Sequence, residues 1–515
     1  MGGLFGQRER TLASLASDIL FVLLLALNIV RTLRHAMWRD ELQIYQLGAN
    51  SPTLVDLFGN LRYEAHGALW DVLVWGLARL GGGPASMQVL HAAIAAAAWI
   101  IVWRSSPFTT LEKFLLLLSY FLFFEYFVIS RSYALAILLG VTFVALRQRR
   151  LSSHMLAWLV LGLLANLNAF VTIWSMALAA GFLLEEKRRD GRFWGGLALY
   201  LVLLAVALAA MIPAADFGPW ESRPRLDFDA VENALGVAIG AFVPISPDWF
   251  RAAAAFAADP ASTAFPFFWN PSPLRWVVAV MQADAAHPLR LAALLAIPIA
   301  LCVALTRQGT RVLEFSLAFS GIMLFSVLWH YAGGSRHFGF VFIALIACVW
   351  LARARVPKAG SSWLLVGILA VNAFGGLLSL GSEFTIFSQA RNAARWIESH
   401  NTAILPLIGS RDAQVSSVAG YLRRPVYYLE CECTGTFIVW NSRRQSPLSA
   451  EQFRERLTRA LARIGRGDAV LIRNVPLDPA FTKDLVPGRA FALAASFTGA
   501  TTDENYWVYR VTSAD

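Results

Sequence analysis

The chain has 515 residues, 57% of them hydrophobic and 15% charged, with a mean hydropathy of +0.54 and a net charge of +10. A soluble protein carries about 25% charged residues, whereas apolar runs of roughly 17–25 residues recur here; a barrel would instead show alternating ten-residue segments. The basic residues cluster between the apolar runs (Arg147, Arg149 and Arg150; Lys187, Arg188, Arg189 and Arg192; Arg307 and Arg311; Arg353, Arg355 and Lys358), which reads as the positive-inside topology signal and not as a nucleic-acid surface.

Arg8 and Arg10 precede an apolar stretch from Ile19 to Val30 that continues into Arg31 and Arg34 with no small-residue cleavage site. This reads as a retained signal anchor crossing outward over residues 18–34. Residues 35–66 then form a first outer loop with helix-like pieces near 40–49 and 53–61. It begins with Trp38-Arg39-Asp40-Glu41, two adjacent carboxylates at a bilayer edge. The simpler reading is a solvated helix start, since acidic residues favour the first turn. The functional reading is a carboxylate that accepts a proton from an attacking hydroxyl, or that helps hold a divalent cation with a phosphate.

Residues 67–147 hold four apolar pieces, 67–80, 87–103, 111–129 and 132–147. An outer start and the inner Arg147–Arg150 end require an odd number of crossings. The first piece has only fourteen residues and contains Asp71, so it is expected not to cross fully. A conventional second span with a break elsewhere is the competing reading. Tyr63-Glu64-Ala65-His66-Gly67-Ala68-Leu69-Trp70-Asp71 opens this piece; ionisable groups leading into lipid tend to line a cavity or pair with one another. Ser130-Arg131-Ser132-Tyr133 opens the last piece. Arg131 reads either as a snorkelling boundary residue or as a phosphate clamp, with Glu125 as a candidate partner.

Residues 155–184 read as a helical hairpin turning near Asn166–Asn168, and 193–212 cross outward again. A long outer loop, 213–287, is rich in Pro, Trp and Phe and suits the interface. Spans near 288–306, 311–329, 337–352 and 361–381 follow. Between two of them His330-Tyr331-Ala332-Gly333-Gly334-Ser335-Arg336-His337 forms a short basic turn. On the outer side it breaks the charge rule, which favours a bound anion there, lipid phosphate being the natural candidate. From about residue 386 the composition turns polar, and short apolar runs alternate with helix-like stretches, as in a small α/β domain. Cys302 and Cys348 sit in apolar spans as core residues. Cys431 and Cys433 lack two further ligands for a zinc site, and read as a disulfide or as two free thiols.

The expected architecture is thus a polytopic α-helical membrane protein with about eleven spans (roughly nine to thirteen). Residues 1–385 form the membrane module and 386–515 an extramembrane α/β domain on the non-cytoplasmic side. The order and spacing of the polar motifs resemble the GT-C superfamily of integral membrane glycosyltransferases, especially the branch of protein O-mannosyltransferases and aminoarabinose transferases. Members carry an Asp-Glu pair in the first outer loop, matched by Asp40-Glu41, and often a His-Pro before the next span, where this chain has His66-Gly67. An Ala-Arg-x-Tyr-Ala-Leu stretch is matched by Ser130-Arg131-Ser132-Tyr133-Ala134-Leu135, and Arg336-His337 is similar to a late Arg-Tyr turn. The likeness covers mainly residues 18–185, with a second patch at 330–350.

The resemblance implies inverting transfer of a sugar from a polyprenyl-phosphate donor to a lipid, glycan or protein acceptor, at the outer face of a bacterial plasma membrane. It implies Asp40, with Glu41 beside it, as the catalytic pair and Asp40 as general base. Arg131, Tyr133, Arg336 and His337 would hold the donor phosphate, and Tyr63, Glu64, His66 and His330 would line the substrate cavity. A divalent cation on Asp40 and Glu41 is left open. Two other readings compete: a lipid or glycan transporter or flippase, which predicts two related halves and a cavity through the membrane centre, and a non-catalytic assembly partner, which leaves Asp40-Glu41 unexplained.

Overall fold

The computed structural model describes residues 12–149, 154–218, 228–245, 253–255, 257–259, 287–329, 334–356, 362–400, 404–465, 467–478 and 485–513. The first helices are α1 (Leu12–Arg34), α2 (Arg39–Asn50), α3 (Leu54–Leu61), α4 (Leu69–Arg79), α5 (Pro84–Ser105) and α6 (Thr110–Leu117). After a π-helical turn at Phe121–Glu125 come α7 (Tyr133–Gln148), α8 (His154–Ala165), α9 (Ala169–Glu185), α10 (Gly191–Ala210) and α11 (Phe228–Gly240). The helical part continues with α12 (His287–Thr306), α13 (Gly309–Leu328), α14 (Ser335–Arg353) and α15 (Trp363–Leu378). Among the described residues six apolar stretches, in α1, α5, α10, α13, α14 and α15 with its extension to Phe384, are long enough to cross a bilayer, and five shorter apolar helices accompany them.

Composition explains how these helices sort. Helices α1 and α10 leave large apolar side chains such as Leu23 and Val202 exposed, which costs nothing where the surroundings are lipid tails. Helix α14 is the axial element: every residue except Arg336 is buried. The piece expected to stop short of a full crossing is α4, whose 11 residues reach only about 16 Å. It lies against α2; Arg79 at its C-terminal end donates to the Ala49 carbonyl, and Tyr45 Oη in α2 donates to the Gly82 carbonyl at 3.1 Å. The 111–129 piece is interrupted between α6 and the π-turn. The hairpin over 155–184 forms as α8 and α9, with Asn168 Oδ1 capping α9 by accepting from Val171 N–H at 3.1 Å. The 213–287 segment contains α11, whereas Pro219, Trp220 and the Phe265–Trp269 run lie outside the described residues.

Beyond α15 the chain builds α16 (Ala390–Ser399), β1 (Leu407–Ser410), α17 (Asp412–Leu422), β2 (Val426–Tyr428), β3 (Cys433–Gly435), α18 (Ala450–Ile464), β4 (Ala469–Arg473), β5 (Arg489–Phe497) and β6 (Tyr506–Ser513). The strands form one sheet in the order β3-β2-β1-β4-β6-β5, with β1 parallel to β2 and β4 and the other pairs antiparallel. Strands β1 and β4 are buried apolar runs, as expected when both faces of a sheet are covered. One face carries α16 and α17 through Ile397, Val415 and Val418 against Val470 and Val508. The other carries α18 through Leu457 and Leu461 against Leu471 and Val511. Cys431 and Cys433 are joined as a disulfide, which decides between the two states left open by the sequence.

Candidate active site

The first outer segment is fixed from both sides. Arg31, at the end of α1, is 2% exposed and spends its guanidinium on Glu383 (2.8 Å), Asn28 Oδ1 (2.9 Å) and the carbonyls of Phe123 and Ser379. A cation buried at a helix end with this many acceptors is a structural pin. Helix α2 follows, and the sheet domain lies on it. Gln46 Nε2 donates to the Ser416 carbonyl at 2.9 Å, and the Gln43 amide donates to the Ile438 carbonyl at 2.7 Å while accepting from its N–H at 3.0 Å. Arg39 N–H donates to Glu504 Oε1 at 2.8 Å, and Arg39 pairs with Asp503. Helix α2 is therefore clamped between the helical bundle and the sheet domain.

Beneath that clamp is a cavity of about 250 Å³ that collects groups from eight separate stretches of the sequence. Asp40 faces it. One Asp40 oxygen, Oδ2, lies 3.1 Å from Arg131 Nη1 and 2.9 Å from Arg336 Nη2, and Arg131 also donates to the Asp40 carbonyl at 3.1 Å. Burial pushes the Asp40 carboxyl up, but Arg336, Arg131 and Arg39 outweigh it and hold the group below its ordinary range. Arg131 lies over the Tyr133 ring (5.8 Å) and Arg336 over the Trp38 ring (5.6 Å), contacts that orient a guanidinium plane. Tyr133 and His337 line the same space. The His337 ring stacks on Phe170 at 5.2 Å, and its Nδ1 accepts from Gly334 N–H at 3.0 Å.

The opposite wall is acidic. Glu64 accepts from Gln43 Nε2 at 2.6 Å, and burial pushes its carboxyl up to about 7. Asp71, 1% exposed, lines the cavity, and neither of its oxygens has a hydrogen-bond partner. Burial pushes Asp71 up to about 7 as well. His66 lies 3.6 Å from Asp71 through Nδ1, which also contacts the Gly67 carbonyl at 3.0 Å, and burial moves the imidazole below its ordinary value. The cavity thus has three cations (Arg39, Arg131 and Arg336) around Asp40 on one side and two carboxyls easily kept neutral on the other. A phosphorylated ligand with its hydroxyls toward Glu64 and Asp71 suits that polarity.

The structure does not bring every expected residue here. Glu41 is fully buried and faces away from the cavity, accepting from Ser130 N–H (2.7 Å), Trp38 N–H (3.2 Å) and His35 Nε2 (2.9 Å). The physical reason is helical geometry: adjacent residues point about 100° apart, so the Asp-Glu pair cannot aim both carboxylates at one point. The two carboxylates therefore do not converge on one point. Among the described residues no three His, Cys, Asp or Glu side chains group closely enough to hold a metal ion. Tyr63 also stands apart from the cavity, its Oη donating to Asp216 Oδ1 at 2.9 Å. Glu125 accepts from Tyr120 Oη at 3.0 Å, and the carboxylate paired with Arg131 is Asp40. His330 lies outside the described residues.

Several cavity residues are absent from the expected set. Gln43 and Asp71 come from the first outer segment and the start of α4, Asn168 and Phe170 from the start of α9, and Ala413, Ser416, Ile438 and Trp440 from the sheet domain. Asp71 carries a sequence signal, as a carboxylate within an apolar piece. The sheet-domain residues carry none.

Fold and cavity together define an integral multi-pass helical membrane protein with a small α/β sheet domain closing a polar cavity at one end of the bundle. No protein-family model matches the chain, and no curated protein matches it. Among solved structures it is similar to ArnT from Cupriavidus metallidurans in the apo state, with a TM-score of 0.44 at 15% identity over 97% of this chain and 98% of that one. It is similar to the same protein bound to undecaprenyl phosphate, with a TM-score of 0.43 at 15% identity over 96% and 98%. A third similarity is to the arabinofuranosyltransferase AftD from Mycobacteria, with a TM-score of 0.38 at 14% identity over 97% of this chain and 42% of that one.

Proposed function

We propose that this chain is a membrane glycosyltransferase that moves a sugar from a polyprenyl-phosphate donor to an envelope acceptor, a lipid, glycan or protein, with inversion at the anomeric carbon. The observation that carries the reading is the convergence of Asp40, Arg131 and Arg336, from three distant parts of the sequence, on one cavity. Asp40 is the general base. The acceptor hydroxyl attacks the anomeric carbon as its proton passes to the Asp40 carboxylate. The bond between that carbon and the phosphate oxygen breaks, and the phosphate departs with the electron pair, stabilised by Arg131 and Arg336. Both arginines pair with Asp40. A donor phosphate competes for them, and as they turn to it the carboxylate becomes a stronger base. Tyr133 and His337 shape the phosphate side; Glu64, His66 and Asp71 face the sugar or the acceptor.

The cavity and the sheet domain are assigned to the non-cytoplasmic face of a bacterial plasma membrane. The basic clusters lie at the other end of the helices, and a disulfide in the sheet domain suits an oxidising compartment. The transporter reading is less well supported. Between its two ends the described bundle is filled by side chains such as Trp99, Trp174 and Phe340, and a mid-bundle gap of about 20 Å³ has an almost wholly apolar lining. Asp40→Asn tests the assignment: it is expected to lower transfer by on the order of 10²–10⁴-fold while donor binding stays equal or tightens, because the arginines lose their competing partner. The measurements are product formation from membrane lipid extracts and donor-analogue binding to purified protein. Unimpaired transfer by that variant overturns the role of Asp40.

A further inference from the structure

Helices α7, α9 and α14 each run from the candidate active site to a second polar cluster at the far end of the bundle. Helix α7 starts at Tyr133 and ends beside Arg147, α9 starts by Asn168 and ends at Glu185, and α14 starts beside Arg336 and ends by Leu351 and Arg355. The 16 residues of α7 and 19 of α14 span about 24 and 28 Å, close to the roughly 30 Å of a bilayer's hydrocarbon core. The second cluster therefore lies at the level of the opposite headgroups.

A cavity of about 730 Å³ opens there. Its inner side is a buried ion-pair network. Arg147 bridges Glu185 and Glu314 at 2.6 Å each, fully buried Arg311 pairs with the same two carboxylates, and Arg355 reaches Glu185 at 2.6 Å. With Lys187, Arg188 and Glu186 on the rim, five cations (Arg147, Arg311, Arg355, Lys187, Arg188) meet four carboxylates (Glu185, Glu186, Asp190, Glu314). His154 sits 3.5 Å from Glu186 and 3.4 Å from Asp190. Neither Lys187 nor the Arg188 guanidinium forms an ion pair among the described residues. Leu146, Ala157, Phe182 and Leu351 supply an apolar wall to the same cavity.

A fixed cationic network beside an apolar wall at headgroup depth matches a molecule with an anionic phosphodiester at one end and hydrocarbon at the other. We infer that this cavity binds the headgroup of an anionic glycerophospholipid on the membrane face opposite the candidate active site. Arg355, half-exposed and oriented by Glu185, turns its remaining donors to the phosphate, with the charge of the buried Arg147 behind it. Lys187 and Arg188 close over it from the rim, and the acyl chains run down past Phe182 and Leu351. This goes beyond the proposed transfer reaction and stands or falls without it.

The test uses the full-length protein in a neutral detergent. Thermal unfolding is followed with added phosphatidylglycerol, phosphatidylcholine or inorganic phosphate, and lipid retention is read by native mass spectrometry. Phosphatidylglycerol is expected to raise the unfolding temperature of the native chain and to be retained, whereas phosphatidylcholine and inorganic phosphate do neither. The double variant Lys187→Ala/Arg188→Ala, which alters only exposed side chains, is expected to lose most of that shift and retain the lipid about tenfold less well. Arg149→Ala, an exposed basic residue of the same end outside the cavity, keeps both. An equal shift with phosphatidylcholine, a shift with inorganic phosphate alone, or an undiminished response in the double variant overturns the inference.

Discussion

Asp40 and Glu41 are chemically alike and adjacent, yet they do different work. Asp40 keeps partial exposure and two arginine partners in the cavity. Glu41 has spent its oxygens on two backbone N–H groups and His35. Replacing Glu41 by Ala leaves those buried donors without an acceptor, at a cost of roughly 1–3 kcal/mol each. Glu41→Ala is therefore expected to lower the unfolding temperature far more than Asp40→Asn does, whereas turnover per folded molecule falls far more in Asp40→Asn. Thermal unfolding paired with transfer rates checks this double dissociation. Glu64 and Asp71 give a pH dependence. Burial holds both near 7, above their ordinary values, so both are neutral below that range and negative above it. Each ionisation adds a negative charge to a cavity that must accept a phosphate. Donor affinity is expected to fall on the order of tenfold from about pH 6 to about pH 8, the scale of one like charge about 10 Å away at an effective dielectric near 20. Glu64→Gln should flatten that slope; an unchanged slope, read by titrating a donor analogue, assigns the effect elsewhere.

Among the elements, the start of α4 and the turn between α8 and α9 are locked by close backbone approach. Leu69 N–H donates to the Asn166 carbonyl at 2.9 Å, and a Cβ on Gly67 would stand 2.5 Å from the Asn166 carbonyl carbon. This explains why a residue without a side chain follows His66. Gly67→Ala is expected to cost roughly 1–3 kcal/mol and to disturb His66 and Asp71 with it, which thermal unfolding and donor binding measured together would register. Gly339 plays the matching part in α14. A Cβ there would lie 2.3 Å from Tyr126 Oη, the group that donates to the Arg336 carbonyl at 2.6 Å. The small residue thus lets Tyr126 hold the turn that presents Arg336.

On the scale of the whole molecule, the sheet domain completes the cavity. Ser416, Ile438 and Trp440 close it from above, and the Gln43 amide links that roof to α2 through both polar groups of Ile438. Gln43→Ala is expected to raise hydrogen exchange at the Ile438 amide and to weaken substrate use while the helical bundle keeps its protection; unchanged exchange at Ile438 removes the linkage. The roof is also tied to the start of the long outer loop that follows α10: Gly218 N–H donates to the Trp440 carbonyl at 3.0 Å, and Ser442 N–H donates to the Asp216 carbonyl at 2.7 Å.

Hydropathy and charge spacing are local properties, so the sequence by itself determined the multi-pass helical class, the short piece that becomes α4, the α8–α9 hairpin, and the polar clusters at 38–41, 63–71, 130–133 and 330–337. Which clusters meet depends on how helices hundreds of residues apart rest on one another. Only the tertiary structure decided that Asp40 turns to Arg131 and Arg336 while Glu41 turns inward, since a helix sends neighbouring side chains in different directions. It alone decided that Tyr63 ties the roof and that Ser416, Ile438 and Trp440 enclose the site. Those side chains owe their place to packing between domains, which leaves no periodic mark in the chain.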